Sequence, residues 1–166
     1  MRVYVASPLG FSEAGRLFLD TVLHPLLRDA GFEVCDPWAG NDPEEIGAIA
    51  ALPPGPQRLS RWRAFNSRVG AANADSIRAC DLVLAVLDGP DVDSGVAAEI
   101  GFACALGKPV TGYRSDFRLA ADNEGGVVNL QVEYFIRATG GAIAANAAEL
   151  TGSLQALARA MDASKA

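Results

Sequence analysis

DLVLAVLDGPDVDSGVAAEIGFACALGKPVTG, residues 81–112, holds in one run the unit from which the rest of the chain can be read. After its first residue, Asp81 to Leu87 is continuously apolar, the pattern of a strand covered on both faces, as in parallel sheets. Gly89-Pro90 turns the chain, an acidic loop follows, and Ser94 to about Leu106 reads as a helix. Pro109 to Gly112 is the next strand. Strand, helix and strand in this order make a right-handed crossover.

The same alternation extends outward in both directions. Arg2 to Ala6 is a short buried strand and Ser7 to Phe11 the loop at its carboxyl end. Ser12 with Glu13 opens a helix whose apolar positions, Ala14, Leu17, Phe18, Val22, Leu26 and Leu27, keep helical spacing; Pro25 should kink or restart it. Gly31 ends that helix, Phe32 to Cys35 gives a second strand, and Asp36-Pro37-Trp38 follows. Residues 39–60 are rich in Gly, Pro and acids without a sustained period, so a lid or binding loop is expected there. Ser60 to Cys80 reads as a polar helix with Trp62, Phe65, Val69, Ala72 and Ile77 turned inward.

Beyond the central unit, an irregular stretch runs to Gly126. A helix is expected from about Val127 to Ala138, a possible fifth strand at Gly141 to Ala144, and a last helix from about Ala147 to Met161. Residues 162–166 are expected to fray. The fold predicted is a single α/β domain over residues 1–161, a doubly wound (flavodoxin-like) parallel five-stranded sheet with helices on both faces. Ligands of such sheets bind beyond the carboxyl ends of the strands. That edge gathers Ser7 to Phe11, Asp36 to Trp38, Asp88 to Gly95 and Tyr113 to Arg118.

Composition narrows the partners. A chain of 166 residues can bury a core without disulfides or metals, and Cys35, Cys80 and Cys104 read as reduced core residues. The net charge of −6 with no Lys/Arg cluster argues against nucleic-acid polymers. No apolar run is long enough to span a membrane and no leader is evident, so a soluble, cytoplasmic protein is expected. Gly101 to Lys108 imitates a P-loop but has five residues between its glycines, and Pro109 follows the lysine; no GxGxxG follows the first strand.

The acids carry more information. Asp81, Asp88, Asp91, Asp93 and Glu99 crowd the strand ends and the helix start, where Asp93 or Ser94 could equally be a cap. Glu99 is set among Ala98, Ile100, Gly101, Phe102 and Ala103, an apolar context that rarely keeps a glutamate without a task, although a solvated helix position is the plainer alternative. Gly95, one turn away, leaves room for a ligand to approach that carboxylate.

Asp88-Gly89, Asp93-Ser94-Gly95, Glu99-Ile100-Gly101, Ala105 to Val110 and Gly112 to Arg118 together resemble the nucleoside 2-deoxyribosyltransferase family. Val3 to Pro8, Ala79 to Leu82 and Asn129-Leu130 extend the resemblance over most of residues 1–138. It implies an enzyme that moves 2-deoxyribose between nucleobases through a covalent glycosyl-enzyme intermediate, with no metal or organic cofactor. Deoxynucleosides and free nucleobases would be its small-molecule partners. It further implies a homo-oligomer, a dimer or larger, with shared active sites. Glu99 matches the family's nucleophile, Asp81 the acid that handles the proton of the base, and Tyr4 the tyrosine that positions the nucleophile. Asp93 and Asn129 match groups that hold the sugar hydroxyls, the asparagine coming from a neighbouring subunit.

Each has a plainer reading as well: Tyr4 as core, Asp81 as the cap of a turn, Asn129 as a helix cap. Ser7 and Trp38, on the ligand edge, are further candidate substrate contacts; Trp38 or Trp62 could stack on a base or simply pack. His24, the only histidine, is expected to be structural. Two other functions remain open. One is a 2-deoxynucleoside 5-monophosphate N-hydrolase, against which Asp93 would act by repelling phosphate; the other is a non-catalytic nucleoside- or nucleotide-sensing module.

Overall fold

A computed structural model describes residues 1–163. Five parallel strands, β1 (Arg2–Ala6), β2 (Glu33–Cys35), β3 (Leu82–Val86), β4 (Val110–Tyr113) and β5 (Ile143–Ala144), form one sheet in the order β2-β1-β3-β4-β5. This is the doubly wound α/β arrangement the apolar runs predict. Alternation along the two central strands divides the core. Val3, Val5, Leu82, Leu84 and Val86 pack on one face under α1 (Glu13–Phe18), α2 (His24–Asp29) and α7 (Ala147–Ala163). Tyr4, Ala6, Val83, Ala85 and Leu87 face α4 (Pro56–Ala79), α5 (Ser94–Ala105) and α6 (Leu130–Ala138).

Two predicted segments differ. Residues 39–60 are not an irregular lid: a 3-10 turn at Pro37–Gly40 is followed by α3 (Pro43–Ala50), and α4 already begins at Pro56. Pro43 and Pro56 occupy first-turn positions, where a missing amide costs nothing, and Asp42 caps α3 by accepting the Glu44 amide. The first helix restarts as Pro25 predicts: between α1 and α2 lies a π-helical segment, Leu19–Leu23, and Pro25 falls in the opening turn of α2. At the other end α7 runs through Ala163, so residues 162 and 163 are helical; 164–166 lie outside the described residues.

Candidate active site

The first turn of α5 is shaped by Asp93, whose Oδ1 accepts the Gly95 and Val96 amides at 2.9 and 3.1 Å. The cap fixes a carboxylate at the positive end of the helix. A Cβ on Gly95 would stand 3.0 Å from that Oδ1, so glycine lets the carboxylate sit over the turn. One turn further along α5, Glu99 is half-buried, and its Oε1 accepts from Tyr4 Oη at 2.6 Å and from Asn73 Nδ2 at 3.4 Å. β1, α4 and α5 thus meet at a single oxygen. Among the described residues Oε2 receives no hydrogen bond.

Glu99 and Asp93 line a cavity of about 380 Å³, in the range of small-molecule sites. Its apolar wall is Phe11, Trp38, Ile46, Phe65 and Val69; its polar groups include Ser7, Asn41, Asn66 and Asn73. Trp38 is held on every side. Its amide donates to Asp36 Oδ1, its Nε1 donates to the Ser7 carbonyl at 2.9 Å, and Phe11 meets it edge-on at a centroid distance of 4.5 Å. Gly10 lies under the ring, where a Cβ would be 2.1 Å from it. A second cavity of about 360 Å³ shares Pro37, Asn41, Phe65, Val69 and Asn73 with the first and is also lined by Glu45 and Arg68, which form an ion pair at 2.5 Å.

Burial is the largest influence on Glu99 and lifts its carboxyl above the ordinary range. The Tyr4 hydrogen bond opposes that rise, nearby Asp93 adds to it, and the Asn73 amide opposes it again. Tyr4, raised first by burial and then by the carboxylate it serves, is held far above the usual phenol range and stays protonated as a donor.

The expected site residues divide into two groups. Tyr4, Ser7, Trp38, Asp93, Gly95 and Glu99 come together around the cavity, Tyr4 through its bond to Glu99. Asp81 does not. It precedes β3 at the amino-terminal edge of the sheet, its Oδ2 accepts the Arg2 amide at 2.7 Å, and its own amide donates to the Arg2 carbonyl. It closes the start of the β1–β3 ladder and is no part of the cavity lining, which corrects its expected place beside the base. Asn129 caps α6, accepting the Gln131 and Val132 amides, and does not line the cavity of its own chain. Trp62 packs edge-on against Phe65 behind the wall. His24 is buried beneath Asp36 and Asp20, at 3.8 and 3.7 Å.

Asn73 is the contact that the sequence reading passes over. Its signal was the spacing of Phe65, Val69 and Asn73, four residues apart on α4, which puts an amide on the stripe that faces the site. Ile46 and Asn41 escaped for a different reason, because their segment carries no readable period.

The profile of the nucleoside 2-deoxyribosyltransferase family matches residues 3–131, and the chain belongs to that family. It is accordingly an enzyme that acts on N-glycosidic bonds. Similar solved structures include a conserved protein from Enterococcus faecalis, 22% identical, with 93% of this chain and 97% of that chain covered and a TM-score of 0.66. A 2-deoxyribosyltransferase from the psychrotolerant bacterium Bacillus psychrosaccharolyticus is 23% identical, with 91% and 90% covered and a TM-score of 0.63. A CMP N-glycosidase from Clostridium botulinum is 20% identical, with 95% and 99% covered and a TM-score of 0.54. At these identities the structures show a shared fold. No curated protein matches the chain.

Proposed function

We propose that the protein transfers 2-deoxyribose between nucleobases through a covalent ester of Glu99. The observation that carries this reading is the 2.6 Å Tyr4–Glu99 hydrogen bond beside a cavity with an aromatic wall and a second carboxylate, Asp93. As the bond from C1 of the sugar to the base nitrogen breaks, positive charge grows on the sugar, and the ionised Glu99 stabilises and then captures it. The electron pair leaves with the base, which takes up a proton. In the return step a second base attacks C1, the ester bond breaks, the carboxylate is regenerated, and the incoming base loses its proton.

Trp38, Phe65 and Phe11 suit the flat faces of a base, and Asn41 and Asn66 offer it donors and acceptors. Among the described residues Asp93 hydrogen-bonds the backbone through Oδ1 alone, and its Oδ2 is suited to accept a sugar hydroxyl. The family's neighbour-supplied asparagine matches Asn129. Exposed Phe117, Leu119, Leu130 and Tyr134 provide apolar surface for a homo-oligomer in which Asn129 would serve a neighbouring site.

Hydrolysis of nucleoside monophosphates is the second reading, favoured by the fold shared with the CMP N-glycosidase. Asp93 opposes it. At about 4 Å a carboxylate repels each unit of phosphate charge by roughly 4 kcal/mol at an effective dielectric constant of about 20. The test is chromatography of the purified protein with deoxyinosine plus free adenine, beside a reaction with deoxyinosine monophosphate alone. Deoxyadenosine that forms only with adenine present is the expected result. Hypoxanthine released from the monophosphate without exchange would replace transfer by hydrolysis, and silence in both, repeated with thymidine as donor, would favour a sensing role.

A further inference from the structure

Glu99 can attack a sugar through either oxygen, and the two are not equivalent. Tyr4 Oη and Asn73 Nδ2 both donate to Oε1, while Oε2 receives nothing among the described residues. An oxygen that already accepts two hydrogen bonds has its lone pairs engaged and its charge lowered; the bare oxygen keeps the higher electron density. Accepting the glycosyl-transfer reading, we infer that Asn73 is a positioning residue that works with Tyr4 to turn Oε2 toward the sugar and to hold Glu99 ionised.

Neither donor hands over its proton in this role. Burial keeps the Tyr4 phenol protonated, and a carboxamide has no proton to lose at any working pH. The pair therefore offsets two influences that favour the neutral acid, desolvation and the Asp93 charge, without itself changing charge as the pH varies. Its cost is chemical. With Asn73 in this place and Asp81 at the far edge, the acids lining the cavity among the described residues are Asp93 and Glu99. Glu99 must be ionised to attack, and Asp93 is tied to the α5 amides. The departing base then takes its proton from water.

α4 places Asn73 by ordinary helix geometry. Phe65 and Val69 lie on the same stripe and pack into the cavity wall, so the amide is presented to α5 as the next position along an apolar face. The residue lines both cavities.

The test compares Asn73→Ala and Asn73→Asp with the native enzyme by kcat/KM against pH, using deoxyinosine and adenine, beside labelling with a 2-fluoro-2-deoxy-arabinosyl purine, whose glycosyl ester is slow to turn over. Folding of each variant is checked by circular dichroism and melting. The expectation for Asn73→Ala is a fall of about tenfold or more, the loss typical of a hydrogen bond to a charged group, with the acid limb moved to higher pH. Asn73→Asp exchanges the donor for a third carboxylate and should move that limb further in the same direction. Acid limbs that stay at the native pH in both variants would overturn the inference, as would an Asn73→Asp enzyme faster than native, which would mark the position as the seat of a proton donor. Labelling separates this inference from the one beneath it. A native protein that forms no sugar ester on Glu99 refutes the glycosyl-transfer reading itself, whereas a labelled native enzyme whose variants keep native pH profiles refutes only the role of Asn73.

Discussion

Glu99 and Asp81 flank the same sheet, one packed over the middle of β1 and the other at its amino-terminal edge, and both accept a hydrogen bond from β1. Asp81 takes it from the Arg2 backbone amide, Glu99 from the Tyr4 side chain two residues along. The backbone donor makes Asp81 part of the β1–β3 ladder and leaves it no cavity to serve. The side-chain donor leaves Glu99 half-buried with one bare oxygen at a cavity wall, its carboxyl lifted by desolvation. Both are carboxylates satisfied in part by the first strand. What separates them is which group satisfies the carboxylate and whether any oxygen is left over.

The sharpest way to break this comparison is Glu99→Gln. On the proposed mechanism transfer should fall by about 10³-fold or more, as is usual when a covalent nucleophile is removed. The same substitution should raise the melting temperature near neutral pH. A carboxyl raised above its ordinary value binds its proton more tightly in the folded than in the unfolded chain. Folding stability is therefore greatest below the ordinary carboxylate range and declines as pH rises through the raised value. The uncharged amide escapes that decline. A Gln variant that is less stable at neutral pH would contradict this account of Glu99.

Tyr4→Phe comes next. It keeps the ring in the core and removes one donor, so kcat/KM should drop roughly ten- to a hundredfold, with the acid limb moved to higher pH. An unchanged limb would show that the phenol does not hold the charge. Asp93→Ser preserves a capping oxygen and removes a charge that raises Glu99, so the acid limb should move to lower pH. Nucleoside turnover should weaken and monophosphates should begin to react, measured as base release from each donor. Unchanged selectivity would refute the charge argument. The smallest effect is expected of Asp81→Asn, which retains an acceptor for the Arg2 amide. Activity should stay within about twofold, with a stability change of no more than roughly 1 kcal/mol by denaturant titration. A large loss of transfer without loss of stability would return Asp81 to the mechanism.

The fold was legible because the apolar runs in Arg2–Ala6 and Leu82–Val86 are the central strands. Glu99 was legible because its neighbours are too apolar to explain it. The helices at 43–50 and from 56 were hidden by their own prolines, which read as loop punctuation yet occupy first-turn positions where proline is at ease. Asp81 was misplaced because register is a pairing property: only the bond between Arg2 and Asp81, which are 79 residues apart, reveals which end of the sheet the acid closes. Asn73 carried too little chemical emphasis, since an amide on a polar helix resembles a solvated face until α5 is packed against it.

The meeting of Tyr4, Asn73 and Glu99 at one oxygen also bears on how the enzyme comes into being. The two bonds span 95 and 26 residues, and the longer one joins the first strand to a helix beyond the third. Contacts of such separation are gained late, after the chain entropy of the intervening loops has been surrendered. During refolding, helical signal can therefore recover while the carboxylate still lacks its phenol. Catalysis cannot return before α5 docks against β1, so the recovery of turnover sets a latest time for that docking.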